Sequence, residues 1–194
     1  MNTPSHIILN LAILGRRQGT PTAPAPGRTW AAGLGGFLPD APLFLFYGWA
    51  KLWVQAPERQ IWRELYNTPI WQDFFALSHS IPLALVGWGL ARWRKSPIAM
   101  ALFASMLLHD AADLPLHNAD AHRHFFPLSN FRFISPVSYW DVNHFGAYAA
   151  LGEWILVVVA SVALWRRGAP PLAKVGLIAV NSLYLVMYGR FYLG

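Results

Sequence analysis

The chain has 194 residues, 55% of them hydrophobic and only 12% charged, with a formal net charge of +6. An ordinary globular domain carries about a quarter charged residues, so this balance excludes a disordered chain, a coiled coil and a typical soluble enzyme. The absence of Cys excludes disulfides, thiolate zinc sites and a Cys nucleophile, and the basic residues flank apolar segments instead of forming the stripe that nucleic acid requires.

The predicted fold is all-α: a single integral membrane domain over residues 1–194, with about five membrane segments and a short N-terminal helix. Runs near 20 apolar residues match a bilayer core about 30 Å thick. Residues 7–14 are too short to span and are expected to form a half-buried helix lying on the others. They also make a poor signal peptide, with no basic leader and no small-residue cleavage site. A Pro-rich connector follows at residues 20–27. Residues 30–54 are the first long segment. Gly33, Gly35, Gly36 and Pro39-Asp40 break it, so it is expected to be kinked or re-entrant. Residues 74–91, 97–114, 145–165 and 175–193 complete the set.

Trp residues bracket three segments: Trp30 and Trp53, Trp71 and Trp93, Trp140 and Trp165. Trp favours the bilayer interface, where its ring is half apolar and its N–H is wet. Arg16, Arg17, Arg28, Arg92, Arg94, Lys95, Arg166, Arg167 and Lys174 lie in three loops that hold nine of the fifteen Lys and Arg and no acidic residue. The positive-inside rule makes those loops cytoplasmic and turns residues 55–73 and 115–143 outward.

An ionisable residue within a membrane segment costs several kcal/mol by insertion scales unless it is paired or bound to metal. His109 and Asp113 are four residues apart and share one helix face, a spacing that can ligate one divalent ion. His117 continues that face, although Pro115 is expected to end the helix first. His79 lies inside its segment at the same expected depth. Asp120, His122 and His124 offer further donors in the outward loop. Asp141 is expected to cap the next helix. His144, beside it, is a candidate ligand or general base, as Asp110 is a candidate base. Glu153, nine residues on, faces away from His144 and is expected to pair with Arg, Asn or Tyr inside the bundle. Asp40, at the Gly-rich break, serves as helix cap or as ligand, and His6 alone carries no signal. No GxSxG, P-loop, GxGxxG or HExxH motif occurs. The donor set suits zinc first, then manganese or iron.

Taken in order, His6, GGFLPD ending at Asp40, SHS around His79, HDAAD from His109 to Asp113, and FFPLS at residues 125–129 resemble the bacterial integral-membrane predicted metal-dependent hydrolases. The resemblance covers roughly residues 5–130. It implies His6, Asp40, His79, His109 and Asp113 as metal ligands and places the chain in the bacterial inner membrane. A second Asp after Pro-Asp and an Arg-Gly element before the Thr-His-Ser, both usual in that family, are missing here. The block SPVSYWD at residues 135–141 marks a subfamily.

The expected function is a membrane-embedded hydrolase of a lipid-like ester or phosphoester. Metal-activated water would attack, Asp110 or His144 would take the proton, and Arg123 or Arg132 would hold a phosphate. Its expected partners are membrane lipids. The rivals are a non-catalytic accessory subunit of a larger membrane complex, and a small transporter, although the paired repeats often seen in transporters are lacking.

Overall fold

Proline sets most of the helix starts. It has no amide hydrogen, and the first turn of a helix needs none. It occupies the first or second position of the helices that begin at Thr3, Ala41, Pro69, Ile81, Pro97 and Pro171. Ser80 and Ser96 add side-chain caps by accepting the amides of Leu83 and Ala99.

A computed structural model describes residues 1–15 and 26–194. Arg16, Arg17 and most of the expected Pro-rich connector lie outside the described residues. Among the described residues all regular structure is helical: α1 (Thr3–Leu14), α2 (Pro26–Phe37), α3 (Ala41–Gly48), α4 (Glu58–Arg63), α5 (Pro69–Ser78), α6 (Ile81–Trp93), α7 (Pro97–Asp113), α8 (Gly146–Arg166) and α9 (Pro171–Tyr188), with short 3-10 and π turns between and after them. Four stretches are long and apolar enough to cross a membrane: Pro69–Trp93, Pro97–Leu116, Gly146–Arg166 and Pro171–Leu193. The chain has the architecture of a helical membrane protein.

The expected segment at residues 30–54 is not among the four. It is cut into α2, a 3-10 turn at Leu38–Asp40, α3 and a π turn at Trp49–Trp53. Pro39 and Pro42 each remove an amide donor, so the helical ladder stops and restarts at Asp40. The stretch Pro69–Trp93 is also broken, at His79-Ser80, into α5 and α6. The two breaks are tied together, since Ser78 Oγ donates to the Pro39 carbonyl at 2.8 Å.

α1 does not lie on the outside of the bundle. It is wedged among α2, α7 and α8, and it buries Ser5, His6, Ile8 and Asn10. Those polar side chains hold it there. Asn10 donates to the backbone carbonyl and the hydroxyl of Ser105 on α7, both at 2.8 Å. α2 packs closely on α7 because Gly35 has no side chain. A Cβ at that position would stand 2.3 Å from the Leu102 carbonyl oxygen and 2.7 Å from Ser105 Cβ. Small residues bring helices together in this way where lipid removes the hydrophobic drive to associate.

Most of the bracketing Trp residues are exposed, with Trp30 at 80%, Trp53 at 83% and Trp93 at 72%. Trp71 departs from that expectation. It packs into an aromatic cluster with its ring centroid 5.3 Å from that of Phe46, beside Phe75. Its position on α5 turns it toward α3, so it fills core volume instead of marking an interface.

Candidate metal centre

Three breaks or helix ends meet at one place. α7 carries His109 and Asp113 on the same face near its C-terminal end. The α5–α6 break delivers His79, and the α2–α3 break delivers Asp40. All four side chains are buried, with His109 fully enclosed. One ligand atom from each lies within 4.8 Å of all the others. His109 Nε2 stands 3.2 Å from Asp113 Oδ2 and 3.7 Å from Asp40 Oδ1. His79 Nε2 stands 3.5 Å from Asp40 Oδ1 and 3.9 Å from Asp113 Oδ2. Donors around a tetrahedral ion with bonds of about 2.0–2.2 Å are separated by about 3.3–3.6 Å. The four separations, 3.2–3.9 Å, bracket that range, and the full set of donors lies within 4.8 Å.

The imidazole tautomers fit the same reading. His79 Nδ1 is 3.0 Å from the Phe75 carbonyl, and His109 Nδ1 is 3.0 Å from the Gly36 carbonyl. Each carbonyl requires an N–H, so each ring carries its proton on Nδ1 and turns a bare Nε2 lone pair inward. Those two Nε2 atoms are buried and find no hydrogen-bond partner among the described residues. Orphaned buried nitrogens cost free energy, and a cation between them and the two carboxylates removes that cost. The Asp40/His79/His109/Asp113 cluster can hold a metal ion.

No family model, no curated protein and no solved structure matches the chain.

Around the four donors lie the other residues singled out from the sequence. His6 stacks on His109 with ring centroids 3.6 Å apart and puts Nε2 2.9 Å from Asp113 Oδ1. The amino group of Met1 lies 2.5 Å from the same oxygen. His117 Nε2 is 3.4 Å from it, while His117 Nδ1 is 3.0 Å from Asp120 Oδ2. Burial is the largest influence on His117 and opposes its charge. The carboxylates of Asp113 and Asp120 outweigh that effect and hold the imidazole up at about 9.

His122 and His124 pack around His79 instead of joining the four donors. The His122 ring stacks on His79 at 4.1 Å, and His124 Nδ1 meets the His79 carbonyl at 3.2 Å. Burial pushes His124 down to about 4. The His124 carbonyl accepts the Ile81 amide, and Ser80 Oγ donates to the Phe126 carbonyl. The loop is thereby sewn over the α5–α6 break.

Asp110 is fully buried, and neither carboxylate oxygen has a partner among the described residues. His144 stands apart at a partly exposed position, paired through Nδ1 with Asp141 Oδ2 at 2.8 Å. Asp141 also caps the turn there by accepting the Asn143 amide.

One expectation needs correcting. Arg123 binds Asp73, the Gln72 carbonyl and Asn130, while Arg132 binds the Ala121 carbonyl and Gln72. Both guanidinium groups hold loop to helix, which leaves neither aimed at the cluster. Trp140 is 52% exposed and also donates its indole N–H to Asp120 Oδ2 at 3.2 Å. Sequence reasoning missed this contact and the roles of the Gly36 and Phe75 carbonyls. A backbone acceptor has no residue signature, and the Trp140 contact spans 20 residues of irregular loop.

Proposed function

We propose that the chain is a membrane-embedded, metal-dependent hydrolase of a lipid-like ester or phosphoester, related to the bacterial integral-membrane family that its motifs resemble. The observation that carries this reading is the convergence on one point of two buried carboxylates and two imidazole Nε2 atoms that have no hydrogen-bond partner among the described residues. A divalent ion at such a point, zinc by its N and O donors, polarises an ester or phosphoryl oxygen and lowers the pKa of water. The chain's residues do the rest. The Gly36 and Phe75 carbonyls orient the two imidazoles. Asp110, one turn back from Asp113 on α7 and without a hydrogen-bond partner among the described residues, is the candidate to accept a proton.

Elemental analysis of detergent-purified protein tests the reading. The wild type is expected to carry tightly bound zinc and to cleave members of a lipid-ester and phosphoester panel. His109→Ala is expected to stay inserted and monodisperse but lose the ion and the turnover. Asp110→Asn is expected to keep the ion and lose about 100-fold or more in rate, the scale of a lost general base. Wild type without ion or hydrolysis, purifying in fixed ratio with a larger complex, establishes the accessory-subunit reading instead.

The charge asymmetry of the loops supports a location in the bacterial inner membrane with the site toward the outer face. A Cys at Arg94 is expected to resist an impermeant thiol reagent in intact cells, and a Cys at Ser129 to react. The reverse labelling pattern moves the site to the cytoplasmic side.

A further inference from the structure

Asp113 turns its two carboxylate oxygens toward two different sets of nitrogen. Oδ2 faces Nε2 of His79 and His109. Oδ1 faces Nε2 of His6 at 2.9 Å and Nε2 of His117 at 3.4 Å. We propose that the centre takes two divalent cations bridged by Asp113, the second bound by His6 and His117.

Separations of 2.9 and 3.4 Å are those of neighbouring donors around one ion, about 3.0 Å in octahedral and 3.3–3.6 Å in tetrahedral coordination. The alternative is a hydrogen-bond network in which the Met1 amino group and His6 Nε2 meet Asp113 Oδ1, while His117 Nε2 lies 3.5 Å from the Met1 amino group. That network already seats a cationic ammonium between the carboxylate and His117, and a divalent cation there takes its place and is ligated by both imidazoles.

His117 is also built as a ligand is built. Metal-binding imidazoles commonly donate their second N–H to a carboxylate that fixes tautomer and orientation. Asp120 Oδ2, held by the Trp140 indole, stands 3.0 Å from His117 Nδ1, an ion-pair contact with the N–H off the hydrogen-bond line. The SPVSYWD block seats this arm. The Ser135 amide donates to the His117 carbonyl at 3.0 Å, the Tyr139 amide donates to the Leu116 carbonyl at 2.9 Å, and the Tyr139 ring packs 5.0 Å from the His117 ring. The block, unassigned from sequence, thus has the work of presenting His117 to Asp113.

This inference rests on the first ion of the proposed hydrolase, and the test separates the two. Detergent-purified whole chain is equilibrated with buffered Zn²⁺ and its ion content measured. Wild type is expected to hold two equivalents and His117→Ala one. Asp120→Asn leaves His117 in place, and it is expected to release one ion at 10- to 100-fold higher free Zn²⁺, the usual effect of losing an orienting carboxylate. This variant decides the matter if His117→Ala does not fold. Loaded with Co²⁺, the wild type is expected to show spin coupling between the two ions. One equivalent, unchanged by either variant, overturns the second site and leaves the first standing. Two uncoupled Co²⁺ ions overturn the bridge. No bound ion at all overturns both readings.

Discussion

Asp113→Asn is expected to weaken zinc binding across the whole centre. The substitution keeps side-chain volume but removes the charge that faces His6, His79, His109 and His117 at once. A four-ligand zinc site binds with roughly 10–16 kcal/mol. Loss of one ligand of four then costs about 2.5–4 kcal/mol, or roughly two to three orders of magnitude in Kd. Competition with a zinc-binding dye reads this directly, and size-exclusion chromatography in detergent checks that the fold persists. The effect is expected to exceed that of His117→Ala, which touches one side of the carboxylate only. Wild-type zinc affinity in Asp113→Asn would show that the carboxylate is a hydrogen-bond partner and no more.

Glu153→Leu is expected to lower stability by about 2–4 kcal/mol, a melting shift of about 5–15 °C for a chain of this size. Glu153 Oε1 accepts from Ser5 Oγ at 2.5 Å, from the Asn2 amide at 2.9 Å and from Asn2 Nδ2 at 3.0 Å. Each bond to a charged acceptor contributes about 1.5–3 kcal/mol. Relief from burying a carboxylate in α8 offsets part of that sum. The donors belong to the start of α1, which also carries His6 and Thr3, and Thr3 Oγ1 donates to Asp40 Oδ2 at 2.6 Å. Loosening α1 is therefore expected to weaken zinc binding as well, although Glu153 touches no ligand. Glu153→Gln retains an acceptor oxygen and is expected to cost about 1 kcal/mol. Equal melting temperatures for wild type and Glu153→Leu, measured in the same detergent, would mean that the packing of α1 on α8 needs no polar anchor.

Both predictions depend on contacts that join residues far apart in the chain, and this marks where sequence reading succeeds and where it stops. Apolar run length and flanking charge determined the membrane-helical class by themselves, because a bilayer imposes a length on any helix that crosses it. The pairing of His109 with Asp113 was legible for a similar reason. A helix places positions i and i+4 on one face whatever surrounds it. Pro39-Asp40 was legible as an interruption and is one in the fold, whereas Ser78-His79-Ser80 lay inside a segment expected to run unbroken over residues 74–91 and is a second interruption.

Only the tertiary structure decided that these two interruptions meet. Nothing local to either segment specifies the hydrogen bond from Ser78 to the Pro39 carbonyl that joins them. The same holds for α1. Its eight-residue apolar run pointed to a half-buried helix, and the helix is half-buried, but only the fold shows that Ser5, His6 and Asn10 find buried partners on α8 and α7. Arg123 and Arg132 looked available for a phosphate because sequence shows a charge and not its partner. Asp73, Gln72 and Asn130 already occupy them. Periodicity and composition report what each segment requires of its surroundings. Which segment meets that requirement is set by packing between distant parts of the chain, and that information exists only in three dimensions.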